Sequence, residues 1–133
     1  MRLVMLNAAL LTLVAVAIVG VEVWDRPEAA VESSVRRYAA AVSNADLDAA
    51  MAEIAPPERA AWTDWVEGQL GNIYNVTGVA VRAGSVLGKP TEVTTGMDIN
   101  RGDLDQFYKA SPRVPVEEVD GRWYLSAPLL STQ

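Results

Sequence analysis

The chain opens on an unbroken apolar run. From Leu3 to Val21 no side chain is charged, and only Asn7 and Thr12 are distinctly polar. About nineteen residues rising ~1.5 Å each reach ~28 Å, close to the hydrocarbon thickness of a bilayer. Trp24 follows at the depth where an indole prefers the interface, and Asp25 and Arg26 end the segment. The pattern predicts a transmembrane anchor over residues 1–24 and one separate domain over 25–133. Ala9, Ala17 and Gly20 are small enough to let a second membrane helix approach closely. A cleaved signal peptide is the competing reading, with a cut after Ala17 in Ala15-Val16-Ala17. Against it, the apolar run continues through Ile18, Val19 and Val21.

The flanks suggest an orientation. Arg2 and the amino terminus precede the run, whereas Glu22, Asp25, Glu28 and Glu32 follow it against Arg26. The positive-inside bias then predicts a cytoplasmic N-terminus and an extracytoplasmic C-terminal domain, in an inner or plasma membrane.

Beyond the anchor the hydrophobic period is helical. Asp25-Arg26-Pro27-Glu28 reads as a capping box with Pro in the first turn. Val31, Val35, Tyr38, Ala39 and Val42 recur at helical spacing up to about Ser43. Ser43 and Asp46 signal a second cap, with Leu47, Ala50, Met51 and Ile54 on one face of a short helix. Pro56-Pro57 ends that helix and seats a third, whose apolar positions are Trp62, Trp65, Val66, Leu70 and Ile73. The period then becomes two. Val79 and Val81 lie in a β-branched stretch. Thr91, Val93, Thr95, Met97 and Ile99 alternate with Glu92, Thr94, Gly96 and Asp98, as in a strand with one wet face. Gly84 and Gly88-Lys89-Pro90 mark turns, and Asp120-Gly121 between Val114–Val119 and Arg122–Leu125 predicts a tight hairpin. The class is α+β: three helices covering one face of an antiparallel sheet.

Composition narrows the chemistry. The net charge is −6, with basic residues scattered, which argues against a nucleic-acid partner. The chain has neither cysteine nor histidine, which removes disulfides, thiol nucleophiles and the usual zinc ligands together. No metal or cofactor is expected. Asp98 and Asp105 flank a turn-like Asn100–Asp103 and read as solvated. Arg101-Gly102-Asp103 reads as a chance tripeptide, and Asn75-Val76-Thr77 matters only in a eukaryotic secretory route.

Two stretches resemble a known family. Ser34 to Asp48 is similar to the first helix and turn of the NTF2-like (cystatin-like, SnoaL-like) superfamily, in which an amphipathic helix with a central Tyr precedes an Asn/Gly-Asp-Leu-Asp turn. Val119-Asp120-Gly121-Arg122-Trp123-Tyr124-Leu125 resembles its last hairpin. The resemblance covers roughly residues 28–128 and implies a cone of three helices on a curved antiparallel sheet. The superfamily includes ketosteroid isomerase, in which the Tyr matched by Tyr38 helps form an oxyanion hole. The base does not carry over, because Trp62 stands at the corresponding distance. Other members are non-catalytic domains behind one membrane helix, such as VirB8-like components and proteins associated with Mce lipid import, which this chain resembles in topology.

These observations rank the functions. A non-catalytic, membrane-tethered interaction module comes first, an accessory or stabilising subunit of a bacterial envelope complex. Its expected contacts are membrane lipid and an integral membrane protein complex, through Ala9, Ala17 and Gly20 and through the sheet face. A carrier of small apolar ligands comes second, with Tyr38, Trp62 and Trp65 lining a pocket in the cone. An isomerase-like enzyme comes third.

Overall fold

The computed structural model describes residues 27–84, 88–101 and 106–131. The expected anchor over 1–24, with Ala9, Ala17 and Gly20, lies outside the described residues, as do the Asp25-Arg26 cap, Gly102-Asp103 and Asp105. Among the described residues no helix is long and apolar enough to cross a membrane.

Helix α1 spans Pro27–Ser43 and buries one stripe: Val31, Ser34, Val35, Tyr38, Ala39, Ala41 and Val42. Spacings of three and four residues place these side chains along a single face. Ala45 ends the turn after it in the left-handed region, at φ 55°. Asp46 then stands extended as the N-cap of α2, Leu47–Met51, and its carboxylate accepts from the Ala49 N–H. Ser43 has another task. Its hydroxyl donates to the Ala39 carbonyl and accepts the N–H of Tyr74, so the cap is Asp46 alone.

Ile54 falls beyond α2, not on its face. A single bridge at Ile54 ties the stretch Glu53–Ala55 to the last strand: Leu125 N–H donates to the Glu53 carbonyl, and Ala55 N–H to that of Leu125, both at 2.9 Å. Pro56–Glu58 makes one 3₁₀ turn into α3, Arg59–Gln69. That helix stops earlier than its apolar spacing predicts. Leu70 is already extended, Gly71 has φ 89°, and Ile73 opens a strand instead of continuing the helix.

Five strands follow: β1 Ile73–Ala83, β2 Pro90–Arg101, β3 Gln106–Ala110, β4 Arg113–Val119 and β5 Arg122–Leu125. All neighbours named here are antiparallel. β2 pairs with β1 along one edge, while its other edge is shared by β4 at Glu92–Thr94 and β3 at Met97–Arg101. β3 was not foreseen. The segment from Asn100 was expected to turn, but β2 continues to Arg101. Two register shifts interrupt the β1–β2 pairing, one with Thr77 as the extra residue in β1 and one with Thr91 as the extra residue in β2. Such shifts bend the bulged strand and increase its twist.

The core lies between α1 and the inner sheet face. Val93, Thr95, Met97 and Ile99 are buried from β2, as the period-two pattern predicts, against Val35, Tyr38 and Val42 of α1. Burying a Val, Ile or Met side chain contributes about 1.5–3 kcal/mol, so this seam dominates stability. The hairpin forms at Asp120-Gly121 with φ 52° and 80°, both positive as a type I′ turn requires.

Candidate functional site

Glu53 is the carboxylate of most structural consequence, and sequence reasoning missed it. Its side chain is only 4% exposed. Ser34 donates its hydroxyl to Oε2 at 2.7 Å. Arg37 forks onto it, Nε to Oε1 at 2.7 Å and Nη2 to Oε2 at 3.2 Å, and Arg122 Nη2 reaches Oε1 at 3.2 Å. One carboxylate thus joins α1, the segment after α2 and β5. Burying a charge is costly unless it is paired and hydrogen-bonded, and here it is both. Arg122 also lies 4.9 Å above the Tyr124 ring, with Arg59 5.8 Å from the same ring.

The expected pocket residues occupy a different part of the molecule. Tyr38 is fully buried among apolar neighbours, and its hydroxyl has no partner among the described residues. Burial, and secondarily the nearby Tyr74 phenol, pushes its ionisation far above the usual tyrosine range. Tyr74 is shifted the same way, first by burial and then by Tyr108, and its hydroxyl donates to Gln69 Oε1 at 3.0 Å. Trp62 and Trp65 are partly buried and meet edge to face, with centroids 6.4 Å apart.

No described carboxylate is paired with the Tyr38 hydroxyl. Glu53 is held by Ser34 and the two arginines. Glu117, whose Oε1 is also buried without a partner among the described residues, alternates with the core residue Val116 and so points to the other side of the sheet. Asp98 is half-buried and likewise alternates with core residues, here Met97 and Ile99. Among the described residues no cluster of acidic or other ligating side chains could hold a metal.

Two surface features remain. A half-open groove of about 550 Å³ runs between α1 and the β4–β5 hairpin, lined by Ala30, Ser33 and Arg37 on the helix and Glu118, Arg122 and Trp123 on the hairpin. None of Tyr38, Trp62 and Trp65 borders it. The second feature is a pair of exposed apolar side chains on the outer sheet face, one on each side of Asn100. Ile73, Asn100 and Phe107 are direct neighbours across three strands and share that face. Ile73 is 48% exposed and Phe107 67%.

No protein-family profile matches the chain, and no curated protein matches it. Among solved structures it is similar to an NTF-2-like protein of unknown function from Shewanella oneidensis. That likeness has 15% identity and a TM-score of 0.51, and covers 77% of this chain and 96% of the other. A SEC-C motif-containing protein from Rhodopseudomonas palustris aligns less well, at 19% identity and a TM-score of 0.45, over 65% of this chain and 67% of that one. The first likeness is one of architecture, and it agrees with the helices and curled antiparallel sheet described above: the fold of this chain is NTF2-like.

Proposed function

We propose that this domain is a non-catalytic interaction module, tethered to a membrane by the Leu3–Val21 segment, that serves as an accessory or stabilising subunit of a bacterial envelope complex. The observation that carries the reading is the placement of the ionisable groups. General acid–base chemistry needs a group titrating near the working pH, within about 3 Å of its target. Tyr38 is sealed among apolar side chains with its ionisation driven further from neutrality, and Glu53 is committed to holding three elements together.

Partner contact has better support. Phe107 and Ile73 present apolar surface on the outer sheet face, where their exposure costs solvation that a partner would relieve. The apolar N-terminal run supplies a second contact, through Ala9, Ala17 and Gly20. Purification of the full chain in mild detergent should recover a complex with another integral membrane protein. Bulky substitutions at Ala17 or Gly20 should weaken it, and Tyr38→Phe should leave it and the cellular function intact. Loss of function in Tyr38→Phe, with complex and stability preserved, would move a pocket-based activity ahead of this reading.

A further inference from the structure

The groove between α1 and the hairpin has the chemistry of a small-molecule site, separate from the exposed pair on the outer sheet face and from the apolar interior. Its volume of about 550 Å³ is within the range of ~300–1,000 Å³ that suits a small organic ligand. One wall is apolar: Pro27 and Ala30 face it from α1, and the indole of Trp123, 8% exposed, from β5.

The polar groups in the groove are already held in place. Arg37 gives two of its nitrogens to Glu53, and Arg122 gives one. Arg37 Nη1 and Arg122 Nε and Nη1 have no acceptor among the described residues. Both side chains remain about half exposed, at 54% and 50%. A guanidinium fixed on one side by a buried carboxylate loses less conformational freedom when its free edge takes a second acceptor. The exposed Ser33 hydroxyl lies in the same lining.

Charge then decides the ligand class. The two arginines are balanced by Glu53 and by Glu118, which stands opposite Trp123 in the hairpin register. Among the described residues the site has no excess positive charge with which to hold a dianion such as phosphate, and Glu118 disfavours a second negative group. We infer that the groove binds an organic monocarboxylate with a compact apolar body. Its carboxylate meets the free guanidinium edges of Arg37 and Arg122, and its body lies on Trp123, Pro27 and Ala30.

The test uses the full chain in lipid nanodiscs and the Trp123 indole N–H resonance, assigned by its loss in Trp123→Phe. Titration with 3-phenylpropanoate should shift that resonance saturably. The matching alcohol, 3-phenylpropan-1-ol, should bind at least tenfold more weakly, and inorganic phosphate should produce no shift. Ser33→Phe fills the groove from an exposed helical position outside the Glu53 cluster, and should abolish the response. Glu118→Gln should tighten carboxylate binding several-fold. The inference is overturned if acid and alcohol bind alike, if phosphate competes, if neither variant changes the response, or if no saturable shift appears at millimolar acid. Each result is read from binding alone, so it leaves the assembly role to its own experiment.

Discussion

Arg37 Nε lies 2.7 Å from Glu53 Oε1, although the two residues belong to different elements and Glu53 is nearly sealed from solvent. The pair is asymmetric: the carboxylate is buried, whereas the guanidinium stays half in water. Its loss is therefore unequal in the two directions. In Glu53→Gln the arginines can turn to solvent, and Ser34 keeps an acceptor in the amide. In Arg37→Ala the buried carboxylate keeps only Ser34 and Arg122.

Glu53→Gln should accordingly cost about 1–3 kcal/mol, and Arg37→Ala at least as much. Chemical denaturation of both variants measures this directly. A change below ~0.5 kcal/mol in both would mean that the cluster does not hold α1 to β5.

Tyr38→Phe should leave stability at neutral pH unchanged or raise it. The substitution removes a buried hydroxyl that has no partner among the described residues, and keeps the ring that fills the core. Leaving such a group unsatisfied costs about 1–3 kcal/mol. A loss above ~1 kcal/mol would show that the hydroxyl has an acceptor.

The same phenols set an alkaline limit. Tyr38 and Tyr74 are both pushed above the ordinary value of 10.0 by burial. The folded state holds their protons more tightly than the unfolded chain does. Their contribution is therefore complete below pH 10 and is lost as pH rises beyond it. Each phenol should remove up to ~1.4 kcal/mol per pH unit in that range. Denaturation series at several alkaline pH values should give a slope that Tyr38→Phe roughly halves. An unchanged slope would remove Tyr38 as its source.

The hairpin can be tested at its turn and at its anchor. Gly121 has φ 80°, a region that costs a residue with a Cβ about 1–2 kcal/mol, so Gly121→Ala should lose that amount. Trp123→Ala should lose about 3–5 kcal/mol, because the ring is buried against the core. An effect near zero for both would contradict this turn and its packing.

Phe107→Glu separates surface from core. With 67% of the residue exposed, the substitution should alter stability by less than ~0.5 kcal/mol. If the proposed role holds, it should nevertheless reduce recovery of a complex with a membrane partner. Unchanged recovery would exclude this end of the sheet face as a contact.

The parts of the fold that were legible in the sequence are those with local causes. The alternation from Val93 to Ile99 and the Asp120-Gly121 dipeptide each specify their geometry within a few residues, whereas Thr91, expected on the same inward face, is exposed where the register shifts. Glu53 was illegible because its partners lie 16, 19 and 69 residues away, and its neighbours read as the end of a short helix. Ile73 followed the helical spacing of Trp62, Trp65 and Val66, yet Gly71 breaks the helix before it. β3 has little pattern to read, since Gln106 to Lys109 are all exposed and its pairing with β2 alone defines it. The groove was hidden for a similar reason: its two walls come from the first helix and the last hairpin.

The sharing of one β2 edge by β3 and β4 has a consequence for local opening. With β1 on its other side, β2 is bonded along both edges, and because successive amides of an antiparallel strand face opposite edges, each is released only by the strand it faces. The amide hydrogens of β2 that face β1 should therefore be untouched by fraying of β3 and report opening of the larger sheet, whereas those that face β3 exchange with it. Those of β3, attached along β2 alone, should exchange orders of magnitude sooner.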